Sequence, residues 1–234
     1  MKHSVTETFE VFSLDELDER AQERAYQEWY EGQASDYAWN RENEASLKAF
    51  CDEFDVKTRD WSYGGGGRDY IVWEWRGDQA PCWDNTPCSE YPGTPEGDEW
   101  NDGLSGQRLA TWLWNHKRHF LFKGKYYSKS KTVDGKYTYV HRRSKVFLEE
   151  AMPTGYCMDY PLIHPFIEFM GKPDSRNLYD LVDEALDGWL KDCASDYEHS
   201  ISEEYFKEEA AERGLLFEKN GDVWGDQDDL KTGA

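Results

Sequence analysis

No run in this 234-residue chain approaches the ~20 consecutive apolar residues that a membrane-spanning helix needs. Met1-Lys2-His3-Ser4 has no apolar stretch behind it, so no secretory signal is expected. Cysteine is sparse and odd in number. Cys51, Cys82, Cys88, Cys157 and Cys193 fall at irregular spacing, which points away from a disulfide framework and toward reduced thiols in a cytoplasm. Internal repeats and catalytic motifs of high specificity are missing as well. Lysine and arginine are outnumbered, with 27 cations against 48 carboxylates and a net charge of −21. That balance argues against nucleic acid as a partner for the whole surface and favours a soluble protein that binds basic surfaces.

The cations that exist are concentrated. Between Thr111 and Phe147 stand ten Lys/Arg against the single acid Asp134, a local net of +9 that leaves −30 for the remaining residues. Asp134-Gly135 is a two-residue hairpin signal, because a type I′ turn needs positive φ at both central positions. With that turn, Lys131 faces Thr138, Lys129 faces Val140 and Tyr127 faces Arg142. Strand alternation then puts Lys123, Lys125, Tyr127, Lys129, Lys131 and Arg142 on one face. Phe122, Tyr126, Tyr137, Tyr139 and His141 take the other, which is expected to pack inward. Such a stripe suits phosphates or an acidic protein. It equally suits a solvated edge kept from aggregating by its lysines.

Helical signals flank this island. Ser13-Leu14-Asp15-Glu16 reads as a capping box, with Phe12 and Leu17 as the staple, opening a helix over about 14–31 that Gly32 ends. A second helix is expected after Asp36, with Leu47, Phe50, Cys51 and Phe54 inward, followed by strands at Lys57–Tyr63 and Asp69–Arg76. Residues 77–103 read as a long Pro/Gly/Asp-rich loop of the kind that is often functional. A short helix over about 106–119 leads into the basic hairpin, and 149–173, with four prolines, reads as irregular. After Asp174, apolar residues from Leu178 to Tyr197 recur at three- and four-residue steps, with Asp180, Asp183, Glu184, Asp187 and Asp192 on the opposite face. Ser200 with Glu203 opens a last helix that Gly214 closes, and Asn220-Gly221 turns a small terminal hairpin.

Several constellations carry possible chemistry. Gly64 to Gly67 would cradle a phosphate only with a following Lys-Ser/Thr and a helix, and both are missing, so a hairpin tip is the better reading. Cys82, Cys88, His116 and His119 offer four zinc ligands, but neither pair has the usual ligand spacing. Asp69, Glu74 and Arg76 are the residue types of a metal-dependent nuclease, at a spacing a paired strand charge explains as well. Nothing marks a serine or cysteine as an activated nucleophile.

Phe12, Glu16-Leu17, Ala21, Ala25 and Trp29-Tyr30 resemble the opening of an uncharacterised group of phage and prophage proteins, sometimes labelled antitoxins of toxin–antitoxin systems. Trp61-Ser62-Tyr63-Gly64-Gly65 resembles the Trp-Ser-x-Gly turn of that group, and Glu203-Glu204-Tyr205, Leu216-Phe217 and Asn220-Gly221 resemble its closing helix and hairpin. The resemblance implies a phage-encoded accessory protein in the host cytoplasm. It supplies no functional residues.

The expectation is therefore a single α+β domain over 1–234: an N-terminal helical pair, a mainly antiparallel sheet with the basic hairpin, and C-terminal helices with a terminal hairpin. No cofactor, metal or catalytic residue is expected. The expected partner is a host protein or nucleoprotein complex with a basic surface, blocked by nucleic-acid mimicry through Glu203, Glu204, Glu208 and Glu209, with the Lys123 to Arg142 stripe as a second contact. Masking of a basic toxin uses the same surface, and a nuclease built on Asp69 and Glu74 is the enzymatic alternative.

Overall fold

The computed structural model describes residues 10–35, 40–64, 67–76, 104–133 and 136–228. The expected 77–103 loop, Cys82 and Cys88, the Asp134-Gly135 turn and the centre of the glycine run lie outside them. Elements run α1 (Glu19–Ser35), α2 (Asn40–Phe54), β1 (Val56–Ser62), β2 (Tyr70–Trp75), α3 (Gly106–His116), α4 (Arg118–Leu121), β3 (Phe122–Val133), β4 (Lys136–Glu150), α5 (Asp159–Gly171), α6 (Leu178–Ser200), α7 (Glu203–Arg213), β5 (Leu215–Phe217) and β6 (Val223–Asp226). The class is α+β. Among the described residues the strands form three separate two-stranded antiparallel sheets, β1–β2, β3–β4 and β5–β6, rather than one larger sheet. The chain groups into two compact units: Met1–Ala38 with Ser195–Ala234, and Trp39–Ala194.

The larger unit is organised by α6. Its three- and four-residue apolar steps bury Leu178, Leu181, Val182, Ala185, Leu186, Trp189, Leu190 and Cys193 along one stripe, as the spacing predicts. Trp189 has no exposed surface, donates its indole N–H to the Asn43 carbonyl at 3.2 Å, and receives Trp61 edge-on at 5.4 Å. Phe50, Phe54 and Phe166 continue the core, Phe54 stacking on Phe166 at 4.5 Å. Ile71, Trp73 and Trp75, on one face of β2, pack partly buried against it.

Helix α5 corrects the irregular segment expected over 149–173. Its prolines are placed where they do little damage. Pro161 falls in the first turn, whose N–H groups have no intrahelical acceptor. Pro165 has no N–H for the Pro161 carbonyl, and α6 presses its glycine there: a Cβ on Gly188 would lie 3.5 Å from that oxygen. Buried Asp159 accepts from the Thr154 and Gly155 N–H groups at 2.8 and 2.9 Å and from the Thr154 hydroxyl at 2.7 Å, which fixes the approach to the helix.

The smaller unit joins an early segment of the chain to a late one. Phe12 and Phe217 exchange backbone hydrogen bonds at 2.9 and 2.8 Å, and Leu17, Ala21, Ala25, Phe206, Ala210 and Phe217 form its core. The helix expected over 14–31 is two pieces. Glu16 accepts from the Ser13 N–H and hydroxyl, both at 2.9 Å, over a single 3-10 turn at Leu14–Glu16. Leu17 is then extended, and Asp18 accepts from the Ala21 N–H at 2.9 Å at the start of α1. Gly32 does not end α1, which runs to Ser35. Helix α7 is capped by Ser202, whose hydroxyl accepts from the Tyr205 N–H at 3.1 Å, rather than by Ser200, which donates to the Tyr197 carbonyl. Gly214 ends α7 in the left-handed region, as expected.

Gly221 is the tightest point. It has φ 96°, and an added Cβ would lie 2.2 Å from the Ala21 carbonyl oxygen. Gly221→Ala is expected to cost more than the about 1–3 kcal/mol of backbone strain alone, read as faster amide exchange in α1 and β5–β6. Gly32→Ala, where a Cβ meets nothing within 4 Å, should be neutral or gain up to about 1 kcal/mol. Thiol reactivity should follow burial: burial pushes the Cys51 thiol up to about 11, while Cys157 is exposed. Iodoacetamide at neutral pH should label Cys157 well before Cys51, and equal rates in peptide maps would mean that α2 opens readily.

Candidate functional site

The polar face of α6 and the adjoining face of α5 enclose a groove of about 580 Å³. Helical periodicity puts Asp180, Asp183, Glu184 and Asp187 on the side of α6 away from the core, and all four are exposed, as is Asp192. Tyr160 and His164, one turn apart on α5, line the other wall with rings stacked at 4.7 Å. Arg176, on the loop before α6, stands in this acid-rich lining. Its Nε is 3.0 Å from Asp174 Oδ2, its guanidinium reaches Glu184 at 2.6 Å, and it lies 5.8 Å from the Phe169 ring centre. Asp183 accepts from the Trp73 indole at 2.9 Å, and the Tyr179 ring lies tilted against Trp73 with centres 4.7 Å apart.

Electrostatics follow this geometry. The Arg176 hydrogen bonds hold the Asp174 carboxyl below the usual carboxylate range, and Asp174 and then Glu184 raise Arg176 in return. Burial pushes Asp192 up, and burial with nearby Asp183 and Asp180 raises the Tyr179 phenol. Among the described residues no group of three or more His, Cys, Asp or Glu is arranged to hold a metal. The groove therefore offers a distributed negative field with aromatic walls.

The four acids of α7 are not equivalent. Glu203, Glu204 and Glu208 are exposed, Glu203 pairing with Lys207 at 2.6 Å. Glu209 is a strut inside the smaller unit. It accepts from the Trp29 indole at 2.9 Å and from Arg213 at 2.9 Å, so it is not a free surface charge.

In the basic hairpin the backbone register pairs Lys131 with Thr138 and Lys129 with Val140, as the turn predicts. Tyr127, however, pairs with Ser144, not with Arg142. Two additional residues, His141 and Arg142, interrupt β4 between the partners of Lys129 and Ser128, so Arg142 leaves the expected cross-strand position. Lys123 is exposed, Lys125 pairs with Val146, and Phe122 packs partly buried on the core.

The other constellations resolve into local structure. Asp69 accepts from the Gly64 N–H at 3.2 Å across the β1–β2 turn. Glu74 is bonded to Arg59 and lies 3.6 Å from Lys57, its cross-strand partner. The Arg59 hydrogen bond holds the Glu74 carboxyl below its ordinary range. His116 lies 2.9 Å from the Trp112 carbonyl on its own helix. The α5–α6 groove itself was missed in the sequence, although Tyr160 with His164 at i, i+4 and the α6 acids were its signals.

Against known proteins, the chain matches no protein-family model, no curated protein and no solved structure.

Arg176 supplies a pH test. A carboxyl held low adds stability above the ordinary carboxylate range and loses it as pH falls through the lowered value. Asp174 should therefore titrate below its usual value of 3.8 by carbon-detected NMR, and Arg176→Gln should return it upward. An unchanged Asp174 titration would mean that Arg176 does not occupy the groove in solution.

Proposed function

We propose that this chain is a phage-encoded acidic binding protein that inhibits a nucleic-acid-handling host complex by presenting carboxylates where the complex expects phosphates. The carrying observation is the α6 ladder. Asp180, Asp183, Glu184 and Asp187 are exposed over eight consecutive positions, about 10.5 Å of helix at 1.5 Å per residue. That is one carboxylate per about 3.5 Å of axis, with Glu184 paired to Arg176, against about 3.4 Å per phosphate along one DNA strand. Glu204 and Glu208 on α7 add exposed charges one turn apart. The phage setting rests on the resemblance of the chain's ends, and the steering on the net charge of −21. An antitoxin acting on a basic toxin would use the same surfaces, and the identity of the captured protein separates the two.

The test begins with capture of the partner from host lysate and its identification. Charge reversal then combines Asp180→Lys, Asp187→Lys, Glu204→Lys and Glu208→Lys. Asp183, Glu184 and Glu209 are left in place because they hold Trp73, Arg176 and Trp29. Binding to the partner should weaken by at least about tenfold, and by more at low salt, where exposed charges act over a longer range. Nucleic acid should compete with the wild-type chain for that partner. If reversal leaves affinity unchanged, the acids serve solubility and the reading fails.

A further inference from the structure

We propose that the α5–α6 groove holds an arginine side chain of a partner protein, its guanidinium lying against the Tyr160 ring and paired with Asp187 and Asp192. The proposal rests on the acidic-binding reading for the source of that arginine, and it deepens that reading by naming the group the surface recognises.

The groove already shows how it holds a guanidinium. Beside the α5–α6 connection, Arg176 bonds Asp174 through Nε at 3.0 Å and Glu184 through Nη1 at 2.6 Å, and it lies 5.8 Å from the Phe169 ring centre. One ring and two carboxylates thus seat one planar cation. The same set recurs further along. Tyr160 stands nine positions before Phe169 on α5, about 13.5 Å of axis, and Asp192 eight positions after Glu184 on α6, about 12 Å. Gly188, one residue past Asp187 and one turn before Asp192, lies beside Pro161, the neighbour of Tyr160. Tyr160, Asp187 and Asp192 all line the groove, and among the described residues no second arginine completes this set.

The groups there are left short of partners. Lys191 stands 3.9 Å from Asp187 with its side chain 77 % exposed, an extended surface pair that contributes little. The Asp192 carboxylate makes no ion pair or hydrogen bond among the described residues, while burial pushes its pKa up. An arriving cation stabilises such a carboxylate in its charged form. Tyr160 is 46 % exposed and stacks on His164 at 4.7 Å. His164 Nε2 faces Glu168 at 3.7 Å, and its Nδ1 is buried with no hydrogen-bond partner among the described residues. With the ring proton on Nε2, Nδ1 is an acceptor without a donor.

This chemistry selects arginine over lysine. A guanidinium is planar and weakly hydrated, so its face stacks on a ring while its edge donates to carboxylates. An ammonium is a compact, strongly hydrated charge, served here by the carboxylates alone.

The experiment is an NMR titration of the full chain with the capped peptide Gly-Arg-Gly-Arg-Gly and with its lysine twin. Expected are saturable shifts at Tyr160, His164 and Asp192, and an affinity at least about threefold higher for the arginine peptide. Tyr160→Leu removes the ring without changing charge and should erase that preference, while Tyr160→Phe should keep it. Asp187→Asn with Asp192→Asn should weaken the arginine peptide by at least about tenfold. Glu204→Gln with Glu208→Gln, which removes as much charge from α7, should not. Shifts spread evenly over the acidic surfaces, equal affinity for the two peptides, or a Tyr160→Leu variant that keeps the preference would each overturn the proposal. The captured partner separates this result from the first reading, because Tyr160→Leu should weaken its binding at unchanged net charge. If the peptide titration fails while acid reversal still weakens the partner, only the arginine site falls. If the titration succeeds while acid reversal leaves the partner unaffected, the arginine site stands and the mimicry reading falls.

Discussion

Trp189 sits where three elements meet. Its indole N–H is held by the Asn43 carbonyl of α2, Trp61 of β1 stands edge-on against its ring, and the ring itself is fully buried on α6. A buried indole has one donor and must find one acceptor. That requirement, added to the apolar area of the ring, fixes the position of α6 against α2 and the β1–β2 hairpin. Once α6 is fixed, its opposite face is committed to solvent, and the acids there have no route into the core. The acidic ladder and the hydrophobic stripe are thus two consequences of one helical period.

The same helix shapes the groove. Gly188 of α6 lies beside the Pro161 carbonyl of α5, an oxygen that Pro165 cannot satisfy from within its own helix. Close approach brings Tyr160 and His164 to the acids of α6. Arg176, held by Asp174 and Glu184, offsets part of their mutual repulsion. The site is thereby built from groups that the local helix geometry brings together, with Arg176 and Lys191 moderating them.

Much of this was legible in the sequence. The stripe of α6 followed from periodicity, the β1–β2 strands from alternation, and the hairpin pairing nearest the turn, Lys131 with Thr138 and Lys129 with Val140, from its turn signal. What was not legible shares a cause: a local signal overruled by something distant. Prolines in α5 read as breakers because the first-turn position of Pro161 and the α6 contact near Pro165 cannot be seen locally. Ser200 with Glu203 read as the cap of α7, but the Ser200 hydroxyl donates to the Tyr197 carbonyl and Ser202 caps the helix instead. Glu209 looked like its neighbours until Trp29, 180 residues away in sequence, claimed its carboxylate. The groove depended on two helices of which only one had been recognised.

The interruption at His141 and Arg142 has a consequence for how the ribbon can change over generations. Because it adds two residues, an even number, β4 resumes its pairing with the same side-to-side order on both flanks. A change of one residue there would instead need a local bulge to keep the register on both flanks. The base of the ribbon shows that second solution: Leu148 is a single extra residue between the partners of Lys123 and Gly124, and the pairing closes around it. The ribbon thus absorbs added length in β4 alone, by two residues toward the tip and by one at the base, while β3 runs through unbroken.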